Sequence, residues 1–443
     1  MGSGEEKVSG AQEDRSEALR YVSKAERESA VVPAVEGVRE RSLQSVAVIG
    51  GGTMGSGIAL SFLAAGLSVS IVETDQAAAS LAQDRVAKAY AGFVQRGKVS
   101  ESERDDALRR FGVVVGLENA READLIIEAA FEDMAVKRDI FGRLDKIAKP
   151  GAILATNSSY LDVDVIAAAT QRPSDVLGMH FFSPANVMLL VEVVNGRLTA
   201  PDTLQTALSA SRLIQKLPVV VGVCHGFVGN RMLARRSEQV DRLLLEGASP
   251  QEIDAALVDF GFRMGPCAMS DLAGLDISWR MRQTNDISAP AADAVYDTGR
   301  RGQKNGRGYY LYPEGARRGQ PDPEVGEIVR RVAERQGIPR RLITSANIVE
   351  RLIYPMINEG ARILSEGIAA RPGDIDVIWL HGYNWPRWRG GPMYYADQIG
   401  LGAIVESLEG MARDQGNPSL EPAELLRDLA AKARGFNRTF RLT

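Results

Sequence analysis

The stretch SVAVIGGGTMGSGIALSFLAAG, residues 45–66, constrains this chain more than any other. A short apolar run ends at Gly50, the pattern Gly50-x-Gly52-x-x-Gly55 follows, and an apolar segment of helical length begins at Thr53. A strand, a glycine turn and a helix in that order open a βαβ unit. The glycines permit the tight turn, let the backbone approach a pyrophosphate and let the helix pack on the strand. The helix N-terminus at Thr53 and Met54 offers N–H groups to phosphate oxygens. A second strand, SVSIVE, ends on Glu73, 18 residues after Gly55. An acid there accepts hydrogen bonds from the ribose hydroxyls of a dinucleotide and repels a 2′-phosphate. The expected cofactor is therefore NAD, held by Gly50, Gly52, Thr53, Met54, Gly55 and Glu73. A glycine turn beside a solvated glutamate is the plainer alternative.

The same alternation continues, with a helix over 76–95, a strand over 123–130, a helix over 132–148 and a strand over 152–156. Strands alternating with helices imply a parallel sheet. After Val221 the strands stop, and 227–247 reads as a long helix. The fold class is thus an α/β Rossmann NAD-binding domain followed by two duplicated all-α domains. The expected boundaries are an N-terminal extension and linker over 1–43, the Rossmann domain over 44–221, a first helical domain over 222–313, a linker over 314–340 and a second helical domain over 341–443. Within the extension, 1–11 reads as unstructured and 15–30 as a short helix with a thin apolar face. The duplication rests on LLLEGASPQEIDAALVDFGFRMGPCAMSDLAGLDI (243–277) and ILSEGIAARPGDIDVIWLHGYNWPRWRGGPMYYADQIGLGAI (363–404). Glu246 and Glu366 lie 120 residues apart, Asp254 and Asp376 122, and Pro266 and Pro392 126. Two copies are too few for a solenoid. They imply a monomer with an internal pseudo-dimer.

Net charge is −4, and 45% of residues are hydrophobic. No basic excess points to nucleic acid, and no apolar run reaches the length of a membrane span. The two cysteines, Cys224 and Cys267, have no metal-ligand spacing. No metal is expected, and a reducing, cytoplasmic location is.

The run VLGMHFFSPANVMLLVEVV, 176–194, carries two polar residues that an apolar strand pair does not need, His180 and Glu192. The chain has three histidines in all. A reversal centred near Asn186 puts His180 and Glu192 side by side. A neutral imidazole can take a hydroxyl proton, while a carboxylate on its other nitrogen fixes the tautomer and stabilises the imidazolium. A lone histidine in an apolar run is more often a satisfied core residue. The glutamate opposite and the nucleotide site upstream shift the balance, because a buried unpaired carboxylate is costly.

These motifs, with IIEAAFEDMAVKRDIF, ATNSSYL, GFVGNRML, GFRMGPCAMSDLAGLD, GQKNGRGYY and DVIWLHGYNWPRWRGGPMYY, resemble the 3-hydroxyacyl-CoA dehydrogenase family, and most of all the dehydrogenase half of the peroxisomal multifunctional (bifunctional) enzyme type 1. The resemblance covers about 45–430. It implies that His180 and Glu192 are the catalytic pair, that Ser159 hydrogen-bonds the substrate's 3-oxygen and that Asn230 positions the substrate. It implies cofactor contacts for Glu132, Lys137 and Asn157. Read without the resemblance, Ser159 could cap a helix beginning after Tyr160, and Glu132 and Lys137 are an ordinary solvated pair. His225 and His381 read as structural. The multifunctional relatives carry a hydratase/isomerase domain ahead of this region. Only about 43 residues precede the first strand here, so hydratase activity is not expected.

The implied reaction is oxidation of (3S)-3-hydroxyacyl-CoA to 3-ketoacyl-CoA with NAD⁺, with an acyl-CoA as the small-molecule partner. Two alternatives stand beside it: a dehydrogenase of another small hydroxy acid on the same scaffold, and a decayed NAD-binding structural protein.

Overall fold

A computed structural model describes residues 3–316 and 318–440, with side chains of the first helix described from residue 14. Eight strands form one sheet: β1 Ser45–Ile49, β2 Ser68–Glu73, β3 Phe111–Val115, β4 Leu125–Glu128, β5 Ile153–Thr156, β6 Val176–Phe181, β7 Leu190–Val194 and β8 Leu217–Val221. Their order is β3-β2-β1-β4-β5-β6-β7-β8. Pairing is parallel from β3 through β6, antiparallel between β6 and β7, and parallel again between β7 and β8. The strands β4, β5, β6 and β7 are buried along their whole length. That is why they read as unbroken apolar runs rather than as alternating ones. Helices cover both faces, and their apolar residues build two cores. One is centred on Val48, Ile58, Phe62 and Ile71, the other on Ile126, Phe141, Leu144 and Leu154.

Contacts divide the chain into two units. One holds 19–230 together with 363–383, and so contains the whole sheet. The other holds 1–18, 231–362 and 384–443. The division falls after 230, whereas the expected boundary is at 221, and a segment of the second helical copy, 363–383, belongs to the unit of the sheet. Its helix Pro372–Gly382 is buried along most of its length. Backbone pairing contributes, since Gly222 N–H donates to the Ile368 carbonyl at 2.8 Å.

The duplication is visible in local structure. Helices Pro250–Phe260 and Pro372–Gly382 have eleven residues each and a proline in the first turn. Pro266–Ala273 and Pro392–Ile399 have eight each, again opened by proline, where its missing N–H costs nothing. Within the helical unit, Gly229–Glu246 and Ser345–Ser365 pair antiparallel. Arg231 meets Glu359 at 2.6 Å and Arg351 meets Gln239 at 3.1 Å. The Glu-Gly pairs that marked the repeat are helix ends, with Gly247 at φ 125° and Gly367 at φ 69°, the left-handed region that glycine tolerates.

Three expectations need correction. The span 314–340, expected as a linker, contains the helix Pro323–Arg335. Val325, Val329, Val332 and Ala333 form its buried stripe among six charged residues, and that charge hid the helical period. Residues 1–11, expected as unstructured, join 15–30 in one helix, Ser3–Ser29; residues 1 and 2 lie outside the described residues. What anchors its later turns is remote in sequence. Tyr21 Oη donates to Asp376 at 2.6 Å, Ser29 Oγ to Asp374 at 2.7 Å, and Glu26 pairs with His381 at 2.7 Å. Strands β3 and β8 also have no counterpart among the sequence expectations. In β8, Pro218 is tolerated because the strand is an edge. Among the described residues no helix is long and apolar enough to cross a membrane.

Candidate active site

The nucleotide loop lies at the C-terminal end of β1. Gly50 takes φ 94°, and a side chain there would press within 2.9 Å of the Ala129 carbonyl. A Cβ on Gly55 would overlap the Gly50 carbonyl oxygen. Gly52 has open space where a side chain would stand. It caps the helix Thr53–Ala64, whose first-turn N–H groups have no helical carbonyl to take. Gly52 and Thr53 are exposed and Met54 is half-buried. Glu73, at the tip of β2, accepts the Gly51 N–H at 2.6 Å, so its carboxylate borders the loop. Arg85 and Ser56 both donate to the Gly51 carbonyl at 2.8 Å. A rigid loop, an unobstructed glycine, unspent amides and an acid at the next strand tip fit a dinucleotide.

The tips of β4 and β5 carry the next group. Glu128 is fully buried and takes Lys137 Nζ at 2.7 and 2.8 Å, Thr156 Oγ1 at 2.7 Å and the Ala130 N–H at 2.7 Å. Lys137 Nζ also lies 3.4 Å from Glu132. With Lys137 1% exposed, its ammonium faces two carboxylates rather than open space. Glu132 Oε1 accepts from Ser158 Oγ at 2.6 Å and from the N–H groups of Ser159 and Tyr160 at 2.8 and 3.0 Å. Burial opposes its charge, but Lys137 and these donors outweigh burial and hold the carboxyl below its ordinary range. Glu132 therefore shapes the segment that presents Ser159. Ser159 is not a helix cap: Asp162 caps the next helix, Val163–Ala167. Asn157 Oδ1 accepts the Phe181 N–H at 2.9 Å and ties the end of β5 to the end of β6.

On β6 and β7 the antiparallel register sets His180 opposite Glu192 and Phe181 opposite Val191. The reversal is centred on Asn186, as expected. His180 Nδ1 lies 2.7 Å from Glu192 Oε2, with the histidine 5% exposed and the glutamate fully buried. The other oxygen of Glu192 accepts the N–H groups of Val228 and Gly229 at 3.2 and 3.0 Å, at the start of the helix Gly229–Glu246. A carboxylate held this way accepts a hydrogen bond from Nδ1–H, which keeps the proton on Nδ1 and leaves the Nε2 lone pair to act as an acceptor. Phe182 and Phe227 pack on the ring with centroids 4.7 and 5.6 Å away.

Asn230 is the second residue of that helix, and its Oδ1 accepts from Tyr383 Oη at 2.9 Å. His225 lies beside Tyr160, with ring centroids 5.2 Å apart. Ser159, His180, Glu192, Asn230 and the nucleotide loop all fall in the unit of the sheet.

Two residues escaped sequence reasoning. Glu128 had a usable signal: a single acid in the apolar run LIIEAA, the same mark that singled out Glu192. Tyr383 had none, because its partner lies 153 positions away.

Comparison with known proteins identifies the family. Residues 45–224 match the model of the 3-hydroxyacyl-CoA dehydrogenase NAD-binding domain, and 226–312 and 347–439 both match the C-terminal domain of the same family. The chain belongs to the 3-hydroxyacyl-CoA dehydrogenase family. The two C-terminal matches coincide with the two copies of the repeat. Among similar proteins, the peroxisomal bifunctional enzyme of Cavia porcellus is 42% identical over 416 residues, covering 88% of this chain and 57% of its own. The Homo sapiens enzyme of that name is 39% identical over 446 residues, covering 95% and 61%. The chain thus spans about three fifths of the length of these relatives. Among solved structures, 3-hydroxybutyryl-CoA dehydrogenase from Escherichia coli K12 superposes with a TM-score of 0.76 at 26% identity, covering 90% of this chain and all of that one. The dehydrogenase part of multifunctional enzyme 1 from C. elegans gives 0.65 at 31% identity, covering 88% and 90%.

Proposed function

We propose that the chain catalyses reversible oxidation of (3S)-3-hydroxyacyl-CoA to 3-ketoacyl-CoA with NAD. The observation that carries this reading is the 2.7 Å contact between His180 Nδ1 and a glutamate anchored by two backbone amides. When bound, NAD⁺ supplies the acceptor for the hydride leaving C3. The chain supplies the proton chemistry. His180 Nε2 takes the proton of the 3-hydroxyl, and Glu192 stabilises the positive charge that develops on the ring. Ser159 and Asn230 hold the oxygen as it becomes a carbonyl. Gly50, Gly52, Thr53, Met54 and Gly55 hold the pyrophosphate and Glu73 the ribose, while Glu132, Lys137 and Asn157 set the shape of the adjoining loop. The aromatic rings around His180 exclude bulk water and hold the imidazole in one orientation.

The reading includes the expected monomer with an internal pseudo-dimer, supported by the antiparallel pair of long helices in the helical unit. It keeps the expected cytoplasmic location, a point on which relatives named peroxisomal and glyoxysomal differ.

His180→Gln tests the reading. With acetoacetyl-CoA and NADH, turnover is expected to fall by about 10²–10⁴-fold, the usual contribution of a general base. NADH affinity measured by fluorescence titration should change little. Near-normal turnover in the variant would refute the assignment, and retained NADH binding with no turnover by the parent protein on any acyl-CoA would favour a decayed site.

A further inference from the structure

Tyr383 sits in the unit of the sheet although it belongs to the second helical copy. It caps the helix Pro372–Gly382. In the first copy the matching eleven-residue helix, Pro250–Phe260, is capped by Gly261. A phenol therefore stands where the other copy has no side chain. Its hydroxyl donates to Asn230 Oδ1 at 2.9 Å. Its ring stacks on Trp379 with centroids 4.5 Å apart and meets Phe182 edge-on at 5.6 Å. Phe182 in turn packs on the His180 ring. Gly229, next to Asn230, leaves room for this approach, since a Cβ there would overlap the Tyr383 ring. A carboxamide has one acceptor and two donors. Once its oxygen is engaged, the NH₂ group is what Asn230 presents elsewhere.

We infer that Tyr383 is a positioning residue of the active site: by occupying Asn230 Oδ1 it fixes the carboxamide so that its NH₂ group points at the substrate oxygen. Burial, with the nearby Glu192 carboxylate, pushes the phenol well above its ordinary range. It therefore stays a donor throughout the working pH range, and the asparagine does not flip as pH changes. The inference rests on the proposed dehydrogenase reading and adds a residue to it.

Tyr383→Phe keeps the ring and removes the hydrogen bond. In protein carrying [15N]asparagine, the side-chain amide pair of Asn230 is identified by its loss in Asn230→Ala. In Tyr383→Phe that pair is expected to shift and to exchange faster with solvent. With acetoacetyl-CoA and NADH, kcat is expected to fall about 5- to 50-fold, equivalent to roughly 1–2 kcal/mol, with KM for NADH within twofold of the parent value. In the Asn230→Ala background the same change should cost less than twofold, because the group it positions is gone. A merely structural tyrosine would give equal losses in both backgrounds. An unmoved Asn230 amide pair, or parental kcat in an active enzyme sensitive to His180→Gln, overturns the Tyr383 inference alone. Absence of turnover in the parent protein overturns the dehydrogenase reading and the inference with it.

Discussion

Glycines 52 and 55 differ in what they do, and substitution separates them. Gly55 is needed by the fold, because its Cβ would collide with the Gly50 carbonyl at the start of the helix. Gly52 has open space around it. Gly52→Ala is therefore expected to keep the parental melting temperature within a degree or two while losing at least tenfold in NADH affinity, because the new methyl stands where the pyrophosphate approaches. Gly55→Ala is expected to lower both. Thermal scans with and without NADH distinguish the two, and a Gly52→Ala protein with parental affinity would remove that residue from the binding loop. The residues that sequence reasoning placed best were those whose spacing is dictated by backbone geometry. Glycine positions follow from a turn, and the His180–Glu192 pairing follows from a ladder. The partners of Lys137 were not legible, because nothing local reveals that Glu128 and Glu132 both claim its ammonium. Tyr383 could not be placed at all, since side-chain contacts made across 153 positions leave no local pattern.

At the scale of elements, the same motif in two copies has two environments. Glu246, at the end of the helix Gly229–Glu246, is 4% exposed and is shared by Arg242, Arg341 and Arg351. Glu366, its counterpart, is exposed. Arg351 is itself 2% exposed. Burial lowers its pKa although Glu246 supports its charge. Removing one member of a buried pair leaves the other uncompensated, at about 3–5 kcal/mol. Glu246→Ala should therefore lower the urea midpoint strongly, and Glu366→Ala should change stability by less than about 1 kcal/mol. Equal effects would show that the buried cluster contributes nothing special. The repeat was legible because helix starts and stops use proline and glycine, which the sequence displays openly. The environment of each glutamate was not, because burial depends on what packs above it. The helix Pro323–Arg335 was hidden for a related reason: four apolar residues specify its packed face, and the surrounding charges read as linker.

Across the whole molecule, stability should depend on pH through carboxyls pushed in opposite directions. Burial raises Asp241 and Asp271 to about 6, against backbone hydrogen bonds that lower them. Each binds its proton more tightly folded than unfolded, where an aspartate titrates near 3.8. Their contribution is thus fully present below about pH 4 and is lost as pH rises through about 6. Glu132 has the other sign. Its folded carboxyl lies below the ordinary value of 4.5, so its contribution is present above that value and is lost as pH falls through its lowered folded pKa. Stability should then decline between pH 4 and 6 more than a parent without Asp241 would. Asp241→Asn, which keeps an acceptor for the Ala292 N–H, is expected to flatten that decline and to raise stability at pH 7. Denaturant titrations at pH 4.5, 6 and 7.5 check the sign, and an unchanged slope would exclude Asp241 as its source.

The two eleven-residue helices that end on Gly261 and Tyr383 have a further consequence. An assembly of identical subunits must repeat every residue it uses, so a side chain suited to one place is also imposed on its symmetry mate. Writing both copies into one chain lifts that obligation. A phenol can be kept where a carboxamide awaits it and a bare backbone retained where none does. The duplicated half of the molecule is therefore free to evolve as two parts with separate duties, one of them reaching the chemistry.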